Sequence, residues 1–166
     1  MLARPLTVLG LAGVLFWSAS AAQASPATPP AGRVSATLDA CHAAPNLAAR
    51  YATFGAQMAA VPGTEQMSIR LELDERTPMD PVFHALSGVP GFGVWKSSEP
   101  GIGVFGYSQE VTSLTAPASF RVAVTFRWLG THHRVIRRAR RVTPACVVTA
   151  APAAGLVVGS LSGVAG

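Results

Sequence analysis

The sequence predicts an all-β protein, an antiparallel sandwich of about seven or eight strands. Two segments alternate apolar with polar residues, Gly/Pro clusters such as VPGTE and GVPGFG separate short β-rich stretches, and no long segment repeats apolar residues at helical spacing. The chain of 166 residues is 49% apolar and 13% charged, a composition that supports a buried core rather than a disordered polymer.

The N-terminal segment, residues 1–24, has the features of a secretory signal peptide. Arg4 precedes an apolar run from Leu6 to Trp17, and Ala22 and Ala24 then frame an A-x-A cleavage site. The apolar run is shorter than the ~20 residues that a membrane-spanning helix needs. We therefore expect cleavage after Ala24 and a protein that is secreted or associated with the cell envelope; an uncleaved N-terminal anchor is the alternative.

The mature chain is expected to begin with a Pro/Ala-rich linker, residues 25–32, followed by one domain over residues 33–150. Loss of Arg4 leaves 12 basic and 8 acidic residues, a net charge of +4. Cys41 and Cys146 lie near the two ends of that domain and, in an exported protein, predict one disulfide. A loop of this length corresponds to about 4–5 kcal/mol of stabilisation in the chain-entropy treatment.

Two segments give the strongest strand predictions, residues 66–74 and 119–129. The alternating residues expected to face the core are Met67, Ile69, Leu71 and Leu73 in the first segment and Phe120, Val122, Val124, Phe126 and Trp128 in the second. The residues between them, which include Arg70 and Arg127, are expected to face solvent. Weaker patterns predict further strands over 33–40, 50–58, 93–97, 102–114 and 136–142.

The segment HHRVIRRARRV, residues 132–142, concentrates positive charge. Its arginines are Arg134, Arg137, Arg138, Arg140 and Arg141. As a helix, the segment would carry its apolar residues on one stripe; as a strand, it would need a bulge near Arg138 to do so. The strong strand before it, the turn at Gly130 and the closing Pro144 favour a hairpin strand.

This basic segment has two interpretations. It is a candidate polyanion-binding surface for an anionic cell-envelope polymer, with binding that weakens as salt rises. Alternatively, its charge only protects a sheet edge from association with other edges. Nucleic acid is not an expected partner, because the protein is expected to be exported and the segment lacks an aromatic platform.

A Gly-rich region over residues 91–111, GFGVWKSSEPGIGVFGYSQEV, concentrates aromatic side chains. They are Phe92, Trp95, Phe105 and Tyr107. Exposed together, they would form an aromatic binding surface for a sugar or peptide; buried, they would belong to the sandwich core.

No catalytic residue, metal ligand set or cofactor site is predicted. GIGVFG, residues 101–106, matches the glycine spacing of a dinucleotide loop but lacks the preceding strand and following helix. His132 and His133 are adjacent, so on a strand they would point to opposite faces. No G-x-S-x-G motif marks a nucleophilic serine. We therefore do not expect an enzyme, with a small secreted cell-envelope hydrolase as the alternative.

The run SFRVAVTFRWLGTHHRVIRRARRVTPAC, together with Cys41 and GVWKSSEPG, resembles secreted immunoglobulin-like (Ig-like) β-sandwich proteins of high-GC actinobacteria, which are largely uncharacterised. The C-terminal GLVVGSLSGVAG is similar to the start of a bacterial cell-adhesion-related (CARDB-type) repeat. These resemblances imply an Ig-like module with a binding or structural role in the envelope or extracellular space. With the basic segment, the expected partner is an anionic cell-envelope polymer or another extracellular protein. Residues 151–166 are expected to form a flexible apolar tail rather than a membrane anchor.

Overall fold

A computed structural model describes residues 30–150. The predicted signal peptide, most of the linker and the tail over residues 151–166 lie outside the described residues. The described part is all-β, and its strands are β1 (Val34–His42), β2 (Tyr51–Ala59), β3 (Gln66–Arg76), β4 (His84–Ala85), β5 (Trp95–Ser97), β6 (Val104–Thr112), β7 (Ala118–Leu129), β8 (Val135–Val142) and β9 (Cys146–Val148). Its helical residues form two short 3-10 turns, at Leu47–Ala49 and Thr131–His133.

The strands form two antiparallel sheets. The first sheet has the order β1-β2-β6, and the second has β3 and β7 at its centre. The free side of β3 pairs with β4 and β5, and the free side of β7 pairs with β8 and β9. If each of these short pairs is counted as one interrupted edge strand, the arrangement is a seven-stranded Ig-like sandwich.

The core lies between the two sheets. Met67, Ile69, Leu71 and Leu73 of β3 are buried, as are Phe120, Val122, Val124, Phe126 and Trp128 of β7. Ala52, Phe54, Ala56 and Met58 of β2 face them from the first sheet. The buried Trp128 also joins the sheets directly, because its indole Nε1 donates a 2.8 Å hydrogen bond to the carbonyl of Ala59 in β2. The period-two alternation therefore predicted this core correctly.

The predicted disulfide is confirmed: Cys41 and Cys146 are bonded, with their Cα atoms 5.4 Å apart. A β-bulge makes this bond possible. The register of β1 against β2 shifts between Leu38 and Ala40, so that Cys41 falls opposite the buried Ala52 and faces the second sheet. The bond joins the end of β1 to the start of β9 and so ties the two sheets together at one side.

The predicted all-β sandwich is confirmed, with differences in detail. The two- and three-residue strands β4 and β9 were not predicted, because segments this short carry no measurable alternation. Residues 135–142 form a strand, as expected from their context. Its bulge lies at Ile136 rather than near Arg138, since Trp128 pairs with Arg137 and Leu129 pairs with Val135.

Candidate functional site

Strand β8 presents Arg138 and Arg140 on the outer face of the second sheet. Arg138 lies opposite Arg127 of β7, and Arg140 lies opposite Thr125. Directly opposed residues of an antiparallel pair project from the same face. Thr125 and Arg127 alternate with the buried core residues of β7 and are themselves half-buried. Arg138 and Arg140 are therefore exposed on the side of the sheet that faces away from the core.

The other arginines of the basic segment occupy different places. Arg137 and Arg141 lie opposite Trp128 and Val124, on the core side of the sheet edge. The guanidinium of Arg137 lies 5.2 Å from the centre of the Trp128 ring. Charges that point inward at an edge strand oppose pairing with a further strand. Arg134 precedes β8 in the turn, where its backbone N–H bonds back to the 3-10 turn.

Two further arginines join Arg138 and Arg140 on this outer face. Arg127 of β7 stands beside Arg138, and Arg70 of β3 lies in the next row, with Thr125 between it and Arg140. Arg70, Arg127, Arg138 and Arg140 thus occupy two neighbouring rows across three strands. We call these four residues the arginine cluster. The alternation in residues 66–74 and 119–129 predicts that Arg70 and Arg127 face solvent. Nothing in the sequence, however, indicates that these two arginines lie beside residues 135–142.

Carboxylates are scarce around the arginine cluster. Arg70 is at its border, where its Nη2 forms a 2.9 Å ion pair with Oε1 of Glu72. Among the residues described, Arg127, Arg138 and Arg140 have no carboxylate oxygen within 4.0 Å. The cluster therefore carries more positive charge than its surroundings neutralise.

The opposite end of the same face is closer to neutral. Arg121 of β7 forms a 3.4 Å ion pair with Asp74 of β3, and its guanidinium also covers the ring of Phe83 at 3.9 Å. Asp74 is buried beneath these contacts. The face is thus divided along the strands into a paired end and an unpaired, cationic end.

Trp95 holds Arg127 in place. The guanidinium carbon of Arg127 lies 3.5 Å from the centre of the Trp95 ring, a stacked cation–π contact. The Nε atoms of Arg127 and Arg70 are buried and have no hydrogen-bond partner among the described residues. Burial lowers the pKa of Arg127, and the neighbouring charges of Arg138 and Arg70 lower it further. An arginine side chain nevertheless stays protonated in proteins, so the charge is retained.

The four aromatic residues of the Gly-rich region do not form one surface. Phe92 is buried in the core, and Phe105 and Tyr107 of β6 pack half-buried against the core from the first sheet. Trp95 lies on the second sheet beside Arg127. The separation arises because β5 and β6 follow each other along the chain but belong to different sheets. Of these four aromatic residues, only Trp95 therefore contacts the arginine cluster.

Among the histidines of the described range, only His84 forms an ion pair with a carboxylate. His84 Nε2 lies 2.9 Å from Oδ2 of Asp80, and both side chains are more than half exposed. The adjacent hollow is lined by no serine from the described range; its one hydroxyl belongs to Thr77, whose Oγ1 accepts a 3.2 Å hydrogen bond from the backbone N–H of Asp80. Within residues 30–150 there is also no group of three His, Cys, Asp or Glu side chains placed to hold a metal ion.

The glycine motif GIGVFG leads into β6, a strand, and not into a helix. The geometry that a dinucleotide phosphate needs at a helix N-terminus is therefore missing from this segment.

No protein-family model matches the chain, and no curated protein matches it. In the stretch from residue 30 to residue 150, no helix is long and apolar enough to cross a membrane.

Proposed function

We propose that this protein is an exported Ig-like binding module of the cell envelope or extracellular space. Its binding surface is the arginine cluster on the outer face of the second sheet, and its partner is an anionic envelope polymer. Export is supported by the Cys41–Cys146 disulfide, because such bonds persist in oxidising compartments. The N-terminal signal-like segment and the resemblance to secreted Ig-like proteins support the same location.

One observation carries the proposal: Arg127 and Arg138 lie directly opposite each other, with no carboxylate within 4.0 Å in the described part of the chain. Like charges in directly opposed positions destabilise a sheet. Protection of an edge accounts for charge on β8, but Arg127 belongs to β7, an interior strand. An anionic partner would offset the repulsion, and this gives the pair a role that edge protection does not.

A pull-down on isolated cell envelopes across a salt series tests the proposal. The mature, oxidised protein is compared with R138S/R140S, which removes two outward charges, and with R137S/R141S, which removes two charges from the core side of the same strand. We expect wild-type binding to weaken as salt rises, because exposed charges are screened over ~10 Å at 0.1 M. R138S/R140S should bind about tenfold more weakly, a loss of ~1.4 kcal/mol, while R137S/R141S retains most of its binding.

Thermal unfolding of all three proteins shows whether each variant is folded. Equal losses in the two double variants would mean that net charge alone governs binding, and the proposed surface would then be wrong. Binding by neither the wild type nor the variants at low salt would reject the binding function itself.

A further inference from the structure

We infer that the arginine cluster recognises closely spaced phosphodiester groups, such as those of a polyol-phosphate chain, in preference to carboxylates. This inference rests on the proposed function and narrows it to one ligand chemistry. It is carried by the positions of the four arginines in the register of β3, β7 and β8, and by the contact of Arg127 with Trp95.

The first step concerns Arg127 and Arg138. They occupy opposed positions on neighbouring strands, which lie about 4.8 Å apart in a sheet. A carboxylate is planar, and one guanidinium already occupies both of its oxygens in a bidentate pair. A phosphodiester is tetrahedral at phosphorus, and the lone pairs of its two charged oxygens are not confined to one plane, so each oxygen is able to accept a hydrogen bond from a different guanidinium group. Two opposed arginines without a carboxylate therefore suit one phosphate better than one carboxylate.

The second step concerns spacing along the strand. Arg140 follows Arg138 by two residues on the same face, a separation of about 6.4–6.8 Å in a strand. Successive phosphates joined by a three-carbon spacer are separated by a similar distance. If Arg138 and the Arg127 guanidinium, which extends across β3 to Trp95, both bind a first phosphate, the next phosphate lies within reach of Arg140. Arg70, in the same row on the far side of Thr125, is paired with Glu72, so the charge available to the second phosphate comes mainly from Arg140.

The third step concerns rigidity. Stacking on Trp95 fixes the plane of the Arg127 guanidinium, so less side-chain freedom is lost when an anion binds. The guanidinium carbon lies 3.5 Å from the ring centre, a distance that a planar group reaches when it stacks face to face. A lysine at this position would keep the charge but would lose both the stacked plane and the forked hydrogen-bonding geometry.

The experiment measures binding of two soluble polyanions to the mature, oxidised protein by calorimetry at equal ionic strength. One is a poly(glycerol phosphate) of defined length, and the other is a poly(glutamate) with the same number of charges. We expect the phosphate polymer to bind about tenfold more tightly. Equal affinity for the two polymers would overturn the inference and leave the proposed function intact. Failure of both polymers to bind at low salt would reject the inference and the proposed function together.

Two charge-conserving variants locate the preference. R138K/R140K keeps every charge of the outer face but removes two forked donors, so the preference for phosphate should fall to about twofold or less. R137K/R141K makes the same change on the core side of β8 and should retain the preference. If both variants keep the wild-type preference, the arginine cluster is not the site.

The salt dependence of R138S/R140S gives an independent readout. Two phosphate contacts, at about 0.7 each as in flexible single-stranded chains, correspond to a slope of log affinity against log salt that is about 1.4 shallower. An unchanged slope would contradict direct contact between these arginines and phosphate.

A further comparison distinguishes binding to the phosphodiesters of a soluble polymer from binding to those of a membrane surface. Vesicles with phosphatidylglycerol in a zwitterionic lipid present phosphodiesters at a surface, whereas poly(glycerol phosphate) presents them in solution. Binding to both, or to either one with the R138K/R140K sensitivity described above, supports phosphodiester recognition. The stronger of the two identifies the source, and vesicle binding that is insensitive to R138K/R140K would contradict the inference.

Discussion

The outer faces of the two sheets differ in charge although they belong to one small sandwich. The strands of the first sheet contain no arginine or lysine and carry two carboxylates, Asp39 and Glu110. The strands of the second sheet contain eight arginines, of which Arg137 and Arg141 lie on the core side, together with Lys96 and three carboxylates, Glu72, Asp74 and Glu75. Charged side chains that serve only solubility would be distributed over the outer faces of both sheets. Within the two sheets, the arginines and lysine are therefore confined to one of them.

The local packing of the two faces differs as well. On the first sheet, Gly55 lies beneath the side chains of Thr37 and Asp39, at the floor of a shallow polar hollow of about 470 Å³. On the second sheet, Ser68 and Ala123 are buried although they point outward. They lie next to arginines, and long basic side chains commonly cover such small residues with their apolar stems. Truncation of an outward arginine is therefore expected to alter packing as well as charge.

The largest expected effect comes from the bond that joins the two sheets. C41S/C146S removes a disulfide that closes a separation of 105 residues. We expect the free energy of unfolding to fall by about 2–5 kcal/mol, because the unfolded chain regains its freedom. Guanidinium denaturation of the oxidised wild type and the variant measures the difference. A change below about 1 kcal/mol would mean that the core alone holds the sheets together.

Two tryptophans allow a matched comparison of the inner and outer faces. Trp128→Phe removes the 2.8 Å hydrogen bond to the carbonyl of Ala59 and leaves that buried acceptor unpaired. We expect a loss of about 2–3 kcal/mol, from the unsatisfied group and the reduced side-chain volume. Trp95→Phe removes a contact at the surface with Arg127 and should cost about 0.5–1 kcal/mol. Equal losses in thermal unfolding would contradict the assignment of Trp128 as the residue that joins the sheets.

Moving charge from one face to the other tests whether its location matters. In the background of R138S/R140S, the substitutions S108R and T112R restore the net charge on exposed positions of β6, in the first sheet. We expect envelope binding to stay about tenfold below wild type, a deficit of ~1.4 kcal/mol. The pull-down across a salt series measures this. Recovery of wild-type binding would show that total charge, and not the second face, attracts the partner.

Much of the fold could be predicted from the sequence, because the alternation in β3 and β7 is uninterrupted and these two strands form the centre of the second sheet. The prediction of a strand over residues 135–142 depended on the neighbouring segments, since the local apolar pattern also fits a helix. The face that each arginine of β8 occupies could not be predicted. It is set by the bulge at Ile136, and one residue of register exchanges the outward and inward arginines.

The site was only partly predictable for the same reason. Arg138 and Arg140 were proposed from composition, as members of a basic segment. Arg70 and Arg127 join them only once β3, β7 and β8 are placed side by side in register. Trp95 was proposed for an aromatic surface, yet its contact is with Arg127. A cross-strand neighbour is a tertiary property, and no local period reports it.

The smallest expected effect on stability has the most direct bearing on function. Arg138→Glu would place a carboxylate directly opposite Arg127, and opposed unlike charges contribute about 0.2–1 kcal/mol where like charges destabilise. We therefore expect this single variant to unfold at a slightly higher denaturant concentration than wild type and to bind envelopes or phosphate polymers far more weakly. Arg141→Glu, on the core side of the same strand, is the control and should leave binding largely unchanged.

Because most damaging substitutions reduce stability and function together, opposite changes in the two would indicate that the repulsion between Arg127 and Arg138 is retained for a ligand. If Arg138→Glu instead lowers stability, the pair is not strained in the free protein, and the argument from like charge would have to be abandoned.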